Sequence, residues 1–134
     1  MRGNPENMMT MTDYNNVTVD VMKSLAEKIN RLALLGVNDV IVDPGFGFSK
    51  TTAQNYELLK NLEIFRELDR PLLVGISRKS MIYQSLGVTS QDALNGTTVL
   101  NTISLLAGAS ILRVHDVKEA FEAIKLVELT YSEQ

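Results

Sequence analysis

Between Val17 and Leu35 the apolar side chains fall at Val21, Leu25, Ile29, Leu32 and Leu35. Spacings of three and four put them on one stripe of an amphipathic helix, and Gly36 supplies its stop. A short apolar run at about Val40 to Val42, halted by Pro44 and Gly45, reads as a strand. Helical periodicity returns in "AQNYELLKNLEIFRELD", where Tyr56, Leu59, Leu62 and Phe65 share one side. Pro71 then introduces "LLVGIS", apolar without alternation, as in a strand buried on both faces. A short helix is predicted from Arg78 to Leu86, a turn at Gly87, and a longer helix from about Gln91 to Ala107. "SILRVHD" is the third strand, and Asp116 with Glu119 predicts a capping-box-like start to a last helix ending near Leu129.

The order is helix, then strand and helix three times, with strands starting near residues 40, 72 and 111. Such intervals suit βαβ units, whose strands are parallel and whose crossovers are right-handed. The chain is therefore α/β. Periodicity leaves two architectures open, a doubly wound sheet or part of a (β/α)₈ barrel. The first turn, "DPGFGF", opens with an acid and a proline and has only two glycines, so it is not a Gly-x-Gly-x-x-Gly nucleotide cradle.

Composition narrows the function without naming it. The 134 residues suit one domain, and 45% hydrophobic with 22% charged residues is ordinary for a folded protein. A net charge of −3 with scattered basic residues leaves no footprint for nucleic acid or an anionic membrane. The absence of cysteine excludes disulfides, thiolate metal sites and cysteine nucleophiles, and fits a reducing compartment. "MRGNPENMMTMTDYNN" has no apolar signal-peptide core, and no run approaches the roughly 20 apolar residues of a membrane span. The expected location is the cytoplasm.

Candidate chemistry lies at three strand ends, which in parallel α/β proteins gather on one face. Asp43 follows the first strand and precedes two glycines that let a ligand approach the backbone; alone, it is equally an acid satisfied by its own turn. Ser77-Arg78-Lys79-Ser80 follows the second, where helix-end N–H groups, two cations and two hydroxyls favour an anion; alone, it is as well read as a serine N-cap with solvated basic residues. The third is Arg113-x-His115, with the only histidine in the chain. Strand alternation sends Ile111, Arg113 and His115 to one face and Leu112 and Val114 to the other, which a strand end meeting solvent would also do. Three such signals at matching positions suggest one pocket. A carboxylate there can accept two parallel N–H bonds from a guanidine-like heterocycle edge such as a 2-amino-4-oxopterin, with Lys79 meeting ring acceptors, Arg113 stacked on the ring, and His115 beside a phosphorylated arm.

At these residues the sequence resembles the dihydropteroate synthase family, in which a hydroxymethyl-dihydropterin diphosphate condenses with p-aminobenzoate and diphosphate is released. "MRGNP", "DPGFGFSK", "NYELLKNL", "PLLVGISRKSMI" and "GTTVLNTISLLAGASILRVHDVKEA" carry the resemblance, in the family's order and over nearly the whole chain. By resemblance Asp43, Gly75, Lys79 and Arg113 bind pterin, with Gly75 at its floor. Phe48, Ser77 and Ser80 border p-aminobenzoate, and Arg113 and His115 hold the diphosphate. Lys79, Arg113 and His115 are the catalytic candidates, acting electrostatically on a leaving diphosphate rather than as nucleophiles.

The resemblance also implies what this segment lacks. A (β/α)₈ barrel needs about 250 residues, and residues 1–134 correspond to the last three βα units with the preceding helix, residues 1–16 being the stretch after a missing fifth strand. No metal ligand is expected in this segment; Mg²⁺ would be held with the diphosphate by the amino-terminal part. The expected partners are the two small-molecule substrates and, at full length, a second copy in a homodimer. By itself the segment would leave open sheet edges and be inactive. Two other readings stand beside it. A pterin-binding methyltransferase domain shares the Asp-containing strand end but has no diphosphate to justify SRKS and RVHD. A non-catalytic pterin-binding remnant, or a half-barrel completed by a partner, is the other.

Overall fold

The computed structural model describes residues 1–133; Gln134 lies outside the described residues. Residues 1–16 hold one 3₁₀ turn, Met8–Thr10, and are tied down by Arg2. Its guanidinium bonds the carbonyl of Asp13, lies 3.9 Å over the Tyr14 ring and stands 3.9 Å from Asp20. Helix α1, Val17–Leu34, starts where Asn16 accepts the Val19 N–H, and packs Val21, Met22, Leu25 and Ile29 on the core. Leu35, placed on that stripe by its spacing, is instead the residue after the helix and is 78% exposed.

The strands lie parallel and in chain order. Val42 bridges to Leu72, and β1, Leu73–Val74, pairs with β2, Ile111–Leu112, in the register 73↔111 and 74↔112. All three are shorter than their apolar runs. Among the described residues each outer strand is paired on one side only, and both Ile41 and Ile111 are exposed. Backbone continues past the ladders in loops that carry Asp43, Ser77 to Lys79, and Arg113 to Asp116.

Helix α2, Thr52–Lys60, opens on a complete Thr51–Gln54 capping box. The single helix predicted to reach Asp69 breaks at Asn61 and continues as a 3₁₀ segment, Leu62–Leu68. Three residues per turn align Leu62, Phe65 and Leu68 on one edge, and the first two are fully buried. Helix α3, Ser80–Leu86, starts two residues later than predicted because Arg78 is left-handed, with φ of 52°. It ends as predicted at Gly87. Helix α4, Leu94–Leu106, is preceded by a 3₁₀ turn, Ser90–Asp92, so Gln91 is not its first residue. Helix α5, Val117–Tyr131, starts beside Asp116, whose side chain makes no cap bond; Arg78 takes it instead.

Val42, Phe46, Phe65, Val74, Ile76 and Met81 form the centre of one apolar core. Helices α3 and α4 touch at Gly96, where an added Cβ would lie 2.5 Å from Ile82 Cγ2 and 3.0 Å from Leu86 Cδ1. Gly96→Val should therefore overpack this contact and lower stability by about 1–3 kcal/mol. A denaturant midpoint equal to that of the parent chain would show that the helices separate freely.

Candidate active site

The first loop is held from inside. Asp43 Oδ1 accepts the Gly45 N–H at 2.8 Å, and buried Asn55 accepts the Gly47 N–H at 2.8 Å. Gly45 and Gly47 have φ of 77° and 81°, values that a side chain would strain. Lys50, only 4% exposed, donates to the carbonyls of Gly45 at 2.7 Å and Phe48 at 2.9 Å. Sequence reasoning did not single out Lys50; a lysine closing a glycine turn signals nothing until its burial is known.

Lys79 crosses from the second loop to the first. Its ammonium donates to the carbonyl of Phe46 and lies 4.6 Å from the centre of the Phe48 ring. Lys79 therefore stands between two clefts. Gly75, Ser77, Lys79, Arg113, Val114 and His115 line one. Gly47, Phe48, Lys79, Ser80 and Tyr83, with Arg78 and Ser90, line the other.

Arg113 lies over Gly75, where a Cβ would come within 2.8 Å of the guanidinium carbon, so only glycine leaves this floor open. Its Nη1 is 3.4 Å from Asp43 Oδ2. That contact joins the first and third strand ends, although Asp43 itself lines a separate cleft with Arg2, Tyr14, Asp20, Lys28 and Lys50. The predicted alternation holds for Leu112, which packs on the core while Arg113 and His115 are exposed, but not for Val114, which lines the same cleft as Arg113 and His115.

Ser77 and His115 meet. Ser77 Oγ accepts the His115 backbone N–H at 3.2 Å and lies 2.8 Å from Nδ1. The contact with Ser77 takes up Nδ1, and Nε2 is the ring nitrogen left to meet a ligand. Buried Ser77 thus stands in the first cleft against His115, apart from Phe48 and Ser80 in the second, although resemblance grouped the three. Arg78, one of the two cations expected to attract an anion, is spent on the protein. It grips Asp116 through Nε and Nη2, both at 2.9 Å, and the carbonyls of Ser90 and Gln91 through Nη1 at 2.8 and 2.6 Å.

Burial lowers the pKa of both buried Lys50 and half-buried Lys79 to about 8. For Lys79 the nearby Arg113 adds to that effect and Asp43 opposes it; for Lys50 Asp43 opposes it while Lys79 and Arg2 add to it. A lysine whose folded pKa lies below its unfolded value of 10.5 binds fewer protons when folded between the two, so unfolding free energy rises with pH across that window. The denaturation midpoint should be higher at pH 9.5 than at pH 7.5. Lys50→Met and Lys79→Met should each flatten that slope; a parent chain that loses stability over this interval would contradict the assignment.

Among the described residues, no three His, Cys, Asp or Glu side chains cluster closely enough to hold a metal ion. No helix among them is long and apolar enough to cross a membrane.

This arrangement of strand ends has counterparts. The chain is 43% identical over 134 residues to the dihydropteroate synthase of Escherichia coli K12, covering 98% of this chain and 48% of that protein. It superposes on the Yersinia pestis dihydropteroate synthase in its sulfonamide drug complex with a TM-score of 0.95 and 41% identity, covering 99% of this chain and 49% of that one. For the Thermus thermophilus dihydropteroate synthase in complex with 6HMPPP, the TM-score is 0.92 and the identity 35%, over 96% of this chain and 52% of that one. The chain thus spans about half the length of the curated relatives it matches. The α/β class read from the sequence is that of these structures. The family model described as pterin binding enzyme matches residues 1–115, and the chain belongs to the pterin binding enzyme family.

Proposed function

We propose that this chain supplies the carboxyl-terminal part of a dihydropteroate synthase, three βα units of a (β/α)₈ barrel. In that enzyme 6-hydroxymethyl-7,8-dihydropterin diphosphate and p-aminobenzoate give 7,8-dihydropteroate and diphosphate. The observation that carries the reading is that Gly75, Lys79, Arg113 and His115 line one cleft and Asp43, from another strand end, is joined to it through Arg113. Strands that follow chain order without reversal support a barrel segment over a doubly wound sheet. The paired cations and histidine favour a diphosphate substrate over methyl transfer.

The steps run through this chain's own residues. Asp43 accepts the N–H groups of the pterin's amino-pyrimidine edge, which takes the place of the Arg113 guanidinium over the Gly75 floor. Released from Asp43, the guanidinium stacks on the ring and faces the diphosphate. His115 donates through Nε2 to the same group. As the methylene C–O bond breaks, its electron pair leaves with the diphosphate, and these donors stabilise the growing charge. p-Aminobenzoate lies in the neighbouring cleft between Phe48 and Ser80, and its nitrogen forms the C–N bond and sheds a proton. Lys79, shared by both clefts, contacts the pterin where they join. We place Mg²⁺ with the amino-terminal part, the whole enzyme in the cytoplasm, and its functional form as a homodimer.

The test joins this chain to the amino-terminal half of the E. coli synthase. The joined barrel should form dihydropteroate and release one diphosphate per product, while the 134-residue chain alone should form none. A soluble, folded joined barrel without turnover would overturn the reading.

A further inference from the structure

Beyond the last paired strand residues, side chains carry the β1–β2 register onward. Backbone pairs Leu73 with Ile111 and Val74 with Leu112, an offset of 38 residues. The same offset of 38 recurs in the loops, where Ser77 bonds His115 and Arg78 bonds Asp116. A parallel ladder has thus been replaced, at the site, by two side-chain rungs. The second is the stronger, a planar guanidinium held by both oxygens of one carboxylate at 2.9 Å.

Arg78 does more than close this rung. Its φ of 52° is unfavourable for a residue with a side chain, and such outliers persist where surrounding contacts over-determine them. Here its amide donates to Thr97 Oγ1 of α4 at 3.0 Å, and Nη1 bonds two carbonyls of the 3₁₀ turn before that helix. One residue therefore ties the β1 loop to α4, to its preceding turn and to the loop after β2. Its chain neighbour is Lys79, and the chain neighbour of Asp116 is His115.

We propose that Arg78 and Asp116 form a positioning pair that sets Lys79 and His115 relative to one another, so that turnover depends on an ion pair that acts through its two chain neighbours. Resting on the synthase reading above, this pairing deepens it by assigning the loop geometry to a named ion pair. Arg78 holds the Asp116 carboxyl below the usual carboxylate range, so the pair is intact at neutral pH.

Two readouts separate the failure of this proposal from the failure of that reading. The first needs no catalysis. The chain has a single histidine, so the imidazole ¹⁵N spectrum of the 134-residue chain contains only His115. Arg78→Lys and Asp116→Asn should each lose the Nδ1 shift that reports the Ser77 bond, whereas Lys118→Ala, which breaks an exposed ion pair with Glu122, should keep it. The second uses the joined barrel. Each single variant should lower kcat at least about tenfold with KM for p-aminobenzoate within about twofold, and the Arg78→Lys/Asp116→Asn double variant should be no worse than the poorer single. Folded variants with the parent kcat, or an unchanged Nδ1 shift, would overturn the proposal. Losses that simply multiply would also overturn it, since the two residues would then act separately. A parent barrel without turnover would count against the synthase reading instead, and the imidazole spectrum would still decide the pair.

Discussion

His115→Ala in the joined barrel is expected to lower kcat/KM for the pterin diphosphate by at least about tenfold, roughly 1.4 kcal/mol, while binding of the diphosphate-free hydroxymethylpterin stays almost unchanged. The asymmetry follows from where the ring points. Ser77 occupies Nδ1, which leaves Nε2 to meet a ligand, and the exposed ring lines the same cleft as Arg113. A donor at that position meets the charge the diphosphate already carries and the further charge that grows as the C–O bond breaks, so its loss weakens binding of the diphosphate ligand and slows the chemical step. Arg113→Ala should weaken both ligands, because the proposed function has its guanidinium cover the ring as well as face the diphosphate. Equal affinities and turnover for His115→Ala, with only an earlier melt, would reduce this histidine to a strand-end residue held by Ser77.

The second large effect belongs to Asp43. Its carboxylate has one oxygen committed to the Gly45 N–H and the other turned to Arg113. Asp43→Asn keeps the shape but replaces a dual acceptor with an amide, whose NH₂ would oppose a donor of the pterin. Pterin affinity should fall by about 1–3 kcal/mol, and p-aminobenzoate affinity should fall much less because Phe48 and Ser80 lie in the other cleft. Unchanged pterin binding by calorimetry would remove Asp43 from the pocket.

What could be read in the sequence was what local chemistry decides. Helix α1 announces itself by apolar spacing, and the end of α3 by Gly87, whose φ is 66°. Strand positions followed from apolar runs, but their lengths did not, because pairing depends on neighbours distant in sequence. Arg113 and His115 could be placed on one face from alternation alone. Their partners could not. Ser77 with His115 and Arg78 with Asp116 are each 38 residues apart, and only the strand register brings them together. The capping role expected of Asp116 failed for the same reason, since a guanidinium from another loop outcompetes its own helix. Lys50 was invisible because its importance rests on burial, and burial is a property of the folded chain.

The central claim is that strand ends from three βα units grip opposite ends of one ligand. The most direct measurement is the affinity of the pterin diphosphate for the joined barrel carrying Asp43→Asn, His115→Ala, or both, taken with the diphosphate-free pterin as control. Asp43 should matter to both ligands and His115 to the diphosphate form alone, and the double variant should show the sum of the two free-energy losses because the residues hold separate groups. Two variants that leave the diphosphate ligand bound as tightly as in the parent barrel would contradict the account.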